Sequence, residues 1–582
     1  MSRRTRPLFA LGAAAALTLP LALSASAASP APFDPVEHLA DDARITIDPI
    51  GTYSTGVFDE SAQEIVAYHA LTRRMFTVDA AAAQVRALDV RRPESPTELF
   101  AVQTTGVQAA DGSVVPEGAV ANSVAVRPDG LGVIAVESDV KTDLGWLVFF
   151  DAAGRGAALG AVRVGSLPDM VTITPDGRTA VVANEGEPAD DFSVDPEGSV
   201  SVVDLPVLKR KASSLRQKDV ATADFHAFEG ANLPDGVRVF GPDVADASGS
   251  LEHRVSRNLE PEYVTVDSRS RTAYVTLQEA NAIAVVDLKR AKVTDVWSLG
   301  AKDHSVVGQG IDPSDRDDVA DVRTVPVKGL YMPDTISSYQ VGRETYLVTA
   351  NEGDAREWGD YVEPARVKDL GDDGLAPVCA DSPAAALLDD ADLGRLNVTT
   401  ASGLRADGSC YEELYAMGGR SFSIWSTDGE LVFDSGEQLE EVTAAALGDA
   451  FNTNHSETGF EGRSDDKGPE PEALTLGEVS GRTYAFVGLE RASGVMIFDV
   501  TSPRRTEFVS YVSNRDYSVS VEDALDDGAD VGETLAAAGD LGPEGITFVP
   551  WYASPTWQPM LAVANEVSGT TTLYDVERVT RR

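Results

Sequence analysis

Residues 261–287 hold one complete unit of the pattern that decides the fold. Pro261-Glu262-Tyr263-Val264 opens a strand, Tyr274-Val275-Thr276-Leu277 forms a second that ends at Gln278-Glu279, and Ala282-Ile283-Ala284-Val285-Val286 forms a third, closed by Asp287. The alternation and the β-branched and aromatic residues read as strands rather than helix. The same succession recurs, seven times in all, with openings at Glu64, Asn122, Asp169, Glu262, Asp334, Glu472 and Glu544. The second strands end at Asp79, Glu137, Glu185, Glu279, Glu352, Glu490 and Glu566, and the third strands close at Asp89, Asp151, Asp204, Asp287, Asp428, Asp499 and Asp575. A sheet unit that cannot bury both faces alone must stack on its neighbours. Radial stacking of four-stranded units is a β-propeller. The expected fold is all-β: a seven-bladed propeller with long loop insertions.

The last unit shows only three strands, and Arg44-Ile45-Thr46-Ile47-Asp48-Pro49-Ile50 alternates like a fourth. It is expected to complete that blade and close the ring, leaving no open sheet edge there. Residues 44–582 then form a single propeller domain, with blade one beginning near Tyr53 and an insertion at 357–418 in blade five. Residues 226–257, 301–328, 438–467 and 513–540 also lack strand pattern and are rich in Asp, Gly, Ser and Ala; Pro383 to Leu393 and Val521 to Leu525 are helix candidates. Long loops of this kind are commonly functional.

Residues 1–27 read as a signal peptide: Arg3, Arg4 and Arg6, an apolar run from Leu8 to Leu23, then the small-residue cleavage site Ala25-Ser26-Ala27. The general secretory route is favoured, and 28–43 are a lead-in. No other stretch is long and apolar enough for a spanning helix, and the C-terminus carries no hydrophobic tail, so no membrane anchor is expected. The protein is therefore expected to be extracellular. Cys379 and Cys410 are the two cysteines, and export favours their pairing.

The chain of 582 residues carries 48 basic and 93 acidic side chains, a net charge of −45. Such a surface repels phosphate backbones and anionic lipid, so nucleic acid is not an expected partner. It suits solubility and multivalent cations. In a propeller the first strand lies innermost, and its start lies at the same end as the finish of the antiparallel second strand. The opening residues thus form an inner ring at one channel mouth and the second-strand ends an outer ring. Thirteen carboxylates and one amide crowd that face. They cannot all stay ionised and unpaired. Oxygen ligands without Cys or His favour hard cations, above all Ca²⁺. The expected metal ligands are Glu64, Asp169, Glu185, Glu262, Glu279, Asp334, Glu352, Glu472, Glu490, Glu544 and Glu566. The loop Asp312 to Asp321 is a further oxygen-rich candidate.

Basic residues stand beside the same motifs: Arg356 after Asn351-Glu352-Gly353-Asp354, Arg491 after Glu490, and Arg463 and Lys467 before Glu472. Were the protein an enzyme, a metal-dependent phosphoesterase would use bound ions to attract phosphate, with Glu352, Asp354, Arg356, Arg491 and Lys467 as catalytic candidates. No G-x-S-x-G elbow, phosphate-binding glycine loop, C-x-x-C or zinc-spaced histidines occur; His304 and His455 lie in insertions that could reach a site.

The segments Leu167-Pro168-Asp169-Met170, Ala183-Asn184-Glu185-Gly186-Glu187-Pro188, Ala350-Asn351-Glu352-Gly353-Asp354-Ala355-Arg356 and Gly468-Pro469-Glu470-Pro471-Glu472 resemble the bacterial choice-of-anchor I proteins. That family is similar to mesenchyme-specific cell-surface glycoproteins of biomineralising animals, and some members carry an alkaline phosphatase label. The resemblance implies an extracellular propeller. It leaves two functions open: a binding or matrix protein that holds divalent cations, or a phosphoesterase acting on a phosphorylated small molecule. An extracellular polymer is a further possible partner.

Overall fold

The computed structural model describes residues 33–80, 82–242, 244 and 252–580. The signal-peptide reading at 1–27 and the start of the lead-in lie outside these residues.

Among the described residues, seven antiparallel sheets have four or five strands. The first contains Val66–His69, Arg74–Asp79, Gln84–Asp89 and Thr97–Gln103; the second Val120–Val126, Leu131–Glu137, Leu144–Asp151 and Ala158–Ser166. The third contains Pro168–Ile173, Thr179–Asn184, Ser199–Asp204 and Val220–Ala223; the fourth Pro261–Val266, Thr272–Leu277, Ala282–Asp287 and Lys292–Ser298. The fifth contains Ile336–Val341, Glu344–Asn351, Ser421–Ser426 and Leu431–Asp434; the sixth Pro471–Val479, Arg482–Leu489, Val495–Asp499 and Glu507–Ser513. The seventh contains Pro543–Val549, Met560–Asn565 and Thr570–Arg578, with Ile45–Ser54 paired on Thr570–Arg578. Each first strand packs against the next sheet's first strand, and that of the seventh packs against that of the first. The molecule is a β-propeller closed by its N-terminal strand.

The closing strand runs further than the 44–50 alternation implied. Its register shifts between Pro49 and Gly51 and then continues to Ser54. Tyr53 therefore belongs to the seventh sheet, not to the first. The lead-in is also partly strand: Val36–Leu39 adds a fifth strand to the sixth sheet and covers its outer edge. The core lies between sheets. Phe76 of the first meets Phe150 of the second at 5.5 Å, and Phe422 of the fifth meets Phe498 of the sixth at 4.5 Å.

The insertion between Asn351 and Ser421 carries two small two-stranded sheets and a disulfide joining Cys379 to Cys410. Only Pro383–Ala386 of the expected 383–393 helix coils, as one 3₁₀ turn; the Asp-rich residues that follow form turns. Helices occupy Gln438–Leu447, Val521–Asp526 and Val531–Ala538 in the loops flanking the sixth sheet. No helix of the described residues is long and apolar enough to cross a membrane.

Candidate functional site

The opening acids reach the channel through a repeated distortion. In the third sheet Pro168 pairs with Asn184 and Val171 with Val182, so the register slips where Asp169 sits. The same slip falls at Glu262, Glu472 and Glu544, and at Asn122 in the second sheet. A β-bulge takes a residue out of the ladder and re-aims its side chain. Proline suits the first strand position because no N–H is required of it there. The residues before Pro168, Pro333 and Pro471 adopt left-handed backbone: Leu167 (φ 44°), Met332 (φ 42°) and Glu470 (φ 50°). Residues preceding proline ordinarily stay extended, so backbone strain is concentrated where the acids enter.

The second-strand ends divide the work by alternation. Asn184, Asn351 and Asn565 turn into the sheet and are buried. Asn351 Nδ2 donates to Ser423 Oγ at 2.8 Å and Asn184 Nδ2 to Ser201 Oγ at 3.1 Å, pinning second strand to third. Of the acids that follow them, Glu185 and Glu352 line the channel cavity, and Glu566 groups with His455 and Glu490.

Asp169, Glu185, Glu262, Asp334, Glu352, Asp354, Glu472 and Glu544 line one cavity of about 200 Å³ at the channel mouth, with Asn122 and Gln278. Among the described residues, no lysine, arginine or histidine lines it. Glu279, Asp354, Lys467 and Arg491 line an adjoining cavity of about 380 Å³ with Glu187 and Arg463. Glu490 lies outside both linings; its carboxylate is within 4.8 Å of those of Glu352 and Glu470, and also within that distance of His455 and Glu566. Glu64 lies outside both linings too, and its charge is felt from Glu566 and Asp169.

Burial, then the neighbouring carboxylates, raises the proton affinity of many of these acids. Asp169 is pushed up to about 7 by burial, Glu137 and Glu187. Glu566 reaches about 7 and Glu490 about 8 for the same reasons. Glu279 reaches about 7 although Arg356 opposes the rise. Glu64, Glu185, Glu262, Asp334, Glu472 and Glu544 are all driven well above the ordinary carboxylate range. The cavity also holds acceptors without donors: Glu262 Oε2, Glu472 Oε2 and Gln278 Oε1 are buried with no hydrogen-bond partner. Such groups cost free energy unless something satisfies them. Oxygen acceptors of this kind fit a hard cation such as Ca²⁺.

The cations beside the site are already committed. Lys467 Nζ lies 3.0 Å from Glu352, 3.5 Å from Asp354 and 3.4 Å from Glu470. Burial opposes its charge, but Glu352, Glu470, Asp354 and Glu490 outweigh burial and hold the ammonium protonated. Arg491 pairs with Glu470 at 2.8 Å and Glu490 at 3.1 Å, and donates to His455. Arg356, a catalytic candidate from the sequence, is turned away from the mouth lining. It is 3% exposed, ion-paired to Glu260, bonded to the Asn258 carbonyl at 3.0 Å and flanked by the rings of Phe240 and Trp358. Its partners come from the segment before the fourth sheet, so it fastens that segment to the fifth.

Glu470, Glu187 and Gln278 belong to the site although strand pattern alone did not select them. Gln278 stands where Glu185 and Glu566 stand in other sheets: Leu277 pairs with Pro261 as Asn184 pairs with Pro168 and Asn565 with Pro543, so Glu279, expected in the ring, lies one residue further on. Asp79 stands apart: Arg86, 2.5 Å away, and Gln84, at 2.8 Å, engage it within the first sheet. His304 is buried, bonds the Gln309 carbonyl through Nδ1, and is pushed down to about 3 by burial and Lys302.

The model of the choice-of-anchor I domain matches residues 64–503. Gigasin-3a of Magallana gigas is 33% identical over 196 residues, which is 32% of this chain and 66% of that protein. The mesenchyme-specific cell surface glycoprotein of Strongylocentrotus purpuratus is 31% identical over 330 residues, 49% of this chain and 41% of that protein. The chain thus spans less than two thirds of either relative. Among solved structures, hydrazine synthase of Kuenenia stuttgartiensis aligns at 12% identity and a TM-score of 0.41, over 91% of this chain and 99% of that one. The Cps50 (Swd1) β-propeller domain of Myceliophteria thermophila aligns at 8% and 0.40, over 92% and 100%. At these scores the likeness bears on neither substrate nor mechanism.

Proposed function

The chain belongs to the choice-of-anchor I family, and from that premise we propose that it is an exported propeller that binds divalent cations, Ca²⁺ first, in its acidic channel mouth. It acts as an extracellular binding or matrix protein. The cell-surface relative and the apolar leader at 1–27 support the location. One observation carries the binding: a cavity of about 200 Å³ lined by eight carboxyl groups and no cationic side chain. The unpartnered oxygens of Glu262, Glu472 and Gln278 support the same reading. These three residues, with Asp169, Glu185, Asp334, Glu352 and Glu544, would hold the ion. A bound cation would supply the positive charge that Lys467, which among the lining acids meets Glu352 and Asp354 alone, does not bring to the others.

Titration calorimetry of the metal-stripped chain with CaCl₂ tests this. Saturable binding is expected, and the double variant Glu262→Gln/Glu472→Gln should lose it. A wild type that takes up no calcium overturns the reading.

A metal-dependent phosphoesterase is the second reading. It is favoured by the adjoining cavity, where Arg463, Lys467 and Arg491 stand beside Glu187, Glu279 and Asp354. Bound cations would draw a phosphate to that boundary, and the basic residues would contact its oxygens. Their existing pairs with Glu352, Glu470 and Glu490 weigh against it. Screening phosphomonoesters with Ca²⁺, Mg²⁺, Mn²⁺ and Zn²⁺ distinguishes the two: hydrolysis above background supports the enzyme, and none supports the binding protein.

A further inference from the structure

Away from the channel, a second group of acids comes together from segments far apart in sequence. Asp312 and Asp317 lie in the loop between strands Ala301–Asp303 and Lys328–Leu330, and Glu461 lies in the stretch leading to the sixth sheet. One oxygen from each sits within 4.8 Å of the other two. Asp312 is fully buried and Glu461 is 1% exposed.

The hydrogen bonds leave this group short of donors. Glu461 Oε1 is buried with no partner. Asp312 accepts only long bonds, from the Ser314 N–H at 3.4 Å and the Asp321 N–H at 3.3 Å. Asp317 accepts from the Val319 N–H at 3.2 Å. The arginines nearby are spent elsewhere. Arg395 pairs with Asp315 and Asp465, Arg316 with Asp315, Arg323 with Asp321 and Asp392, and Arg420 with Glu440. Arg420 also donates to the Asp312 carbonyl, not to its carboxylate. Three acids converge and, among the described residues, no basic side chain is ion-paired to any of them; one of them presents a fully buried, unbonded oxygen.

We propose that Asp312, Asp317 and Glu461 form a second calcium site, separate from the channel, which fastens the 304–327 loop to the 448–468 stretch. The chemistry is that of a hard cation held by carboxylates from two segments. The site has a structural consequence for the channel. The 448–468 stretch carries Arg463 and Lys467 into the cavity beside the mouth, so a cation at Glu461 would steady the residues that border it.

The test uses the full metal-stripped chain and calcium alone. In wild type, calorimetry should show a binding event that survives Glu262→Gln/Glu472→Gln. That event should weaken by about tenfold or more in Asp317→Asn, because calcium affinity follows ligand charge count. Calcium should also protect residues 313–322 from limited proteolysis in wild type and not in Asp317→Asn or Glu461→Gln. Asp317 is only half-buried, so its variant should fold even if Glu461→Gln does not. If Asp317→Asn binds and protects as wild type does, the site is overturned. Loss of every binding event in the channel double variant also overturns it. Failure of the channel reading alone would leave one event, and that event would be weakened by about tenfold or more in Asp317→Asn.

Discussion

Gln278 Nε2 donates to Glu352 Oε2 at 2.8 Å, joining the fourth sheet to the fifth, and the other end of the same amide is buried with no partner. Glu352 receives Lys467 on its second oxygen, at 3.0 Å. The amide is therefore fixed by one acid and leaves its carbonyl oxygen free in the cavity. A buried acceptor left unbonded costs about 1–3 kcal/mol. Its retention is intelligible if a cation uses it.

Gln278→Met removes that acceptor and keeps the volume. Without metal two effects oppose each other, since an unsatisfied acceptor has gone but Glu352 Oε2 loses the Nε2 donor, so stability should change little. With calcium its affinity should fall, by about tenfold, through the lost oxygen. Equal calcium affinity in the two proteins would show that Gln278 is not a ligand.

The raised carboxyls give a pH dependence with a definite sign. Asp169, Glu279 and Glu566 titrate near 7 and Glu490 near 8 in the folded chain, against about 4 when unfolded. Between those values the folded state holds more protons, so stability falls as pH rises. The contribution is fully present below about pH 4 and is lost through pH 7–8. The melting temperature of calcium-free protein should drop from pH 5 to pH 8, and saturating calcium should reduce or reverse the drop. A metal-free melting temperature that climbs over this range contradicts the buried, self-repelling ring.

The repeat was legible because it lives in local pattern. The alternation at Tyr274-Val275-Thr276-Leu277 and the Pro-acid openings mark strands and their starts without reference to anything distant. The lining of the mouth by Asp169, Glu262, Asp334, Glu472 and Glu544 follows from antiparallel geometry. The bulges were not legible, because register is a relation between strands. The burial of Arg356 was hidden for a similar reason: its acid, Glu260, lies 96 residues away. Asp312 and Glu461 stand in loops with no period at all, and only the fold brings them into contact. Val36–Leu39 is a strand chiefly because an open edge waited for it.

Arg356 now carries a stability expectation in place of a catalytic one. Its removal would leave Glu260 buried at 3% exposure without its partner, and would empty the space between Phe240 and Trp358. Breaking a buried ion pair on one side costs about 3–5 kcal/mol. Arg356→Ala should lower the urea midpoint accordingly, and Arg356→Lys should recover part of it. A midpoint within error of wild type would mean that Arg356 fastens nothing.

The Cys379–Cys410 bridge closes a stretch of 31 residues within the fifth-sheet insertion. In the chain-entropy model, closing a loop of that length stabilises by about 3–4 kcal/mol. Mass spectrometry without reduction should find the two peptides linked and no alkylatable thiol. Reduction should speed proteolysis in the insertion and leave the sheets intact. Global unfolding on reduction would show instead that the insertion and the propeller share one cooperative unit.

Lys467 separates the two functional readings most sharply. Its ammonium is 9% exposed and already neutralises Glu352, Asp354 and Glu470, so it competes with any metal for the same carboxylates. In Lys467→Met those acids gain free charge. Calcium affinity should rise, and metal-free stability should fall by about 3–5 kcal/mol, the cost of leaving buried acids unpaired. Saturating calcium should restore much of that loss, since a ligand bound only by the native state stabilises it by mass action. The phosphoesterase reading expects the opposite priority. There Lys467 contacts the phosphate, and its loss should abolish turnover without tightening calcium. Calorimetry and a phosphomonoester assay on the same variant decide the matter. Tighter calcium with no wild-type turnover to lose identifies a binding protein, and weaker or unchanged calcium with lost turnover identifies the enzyme.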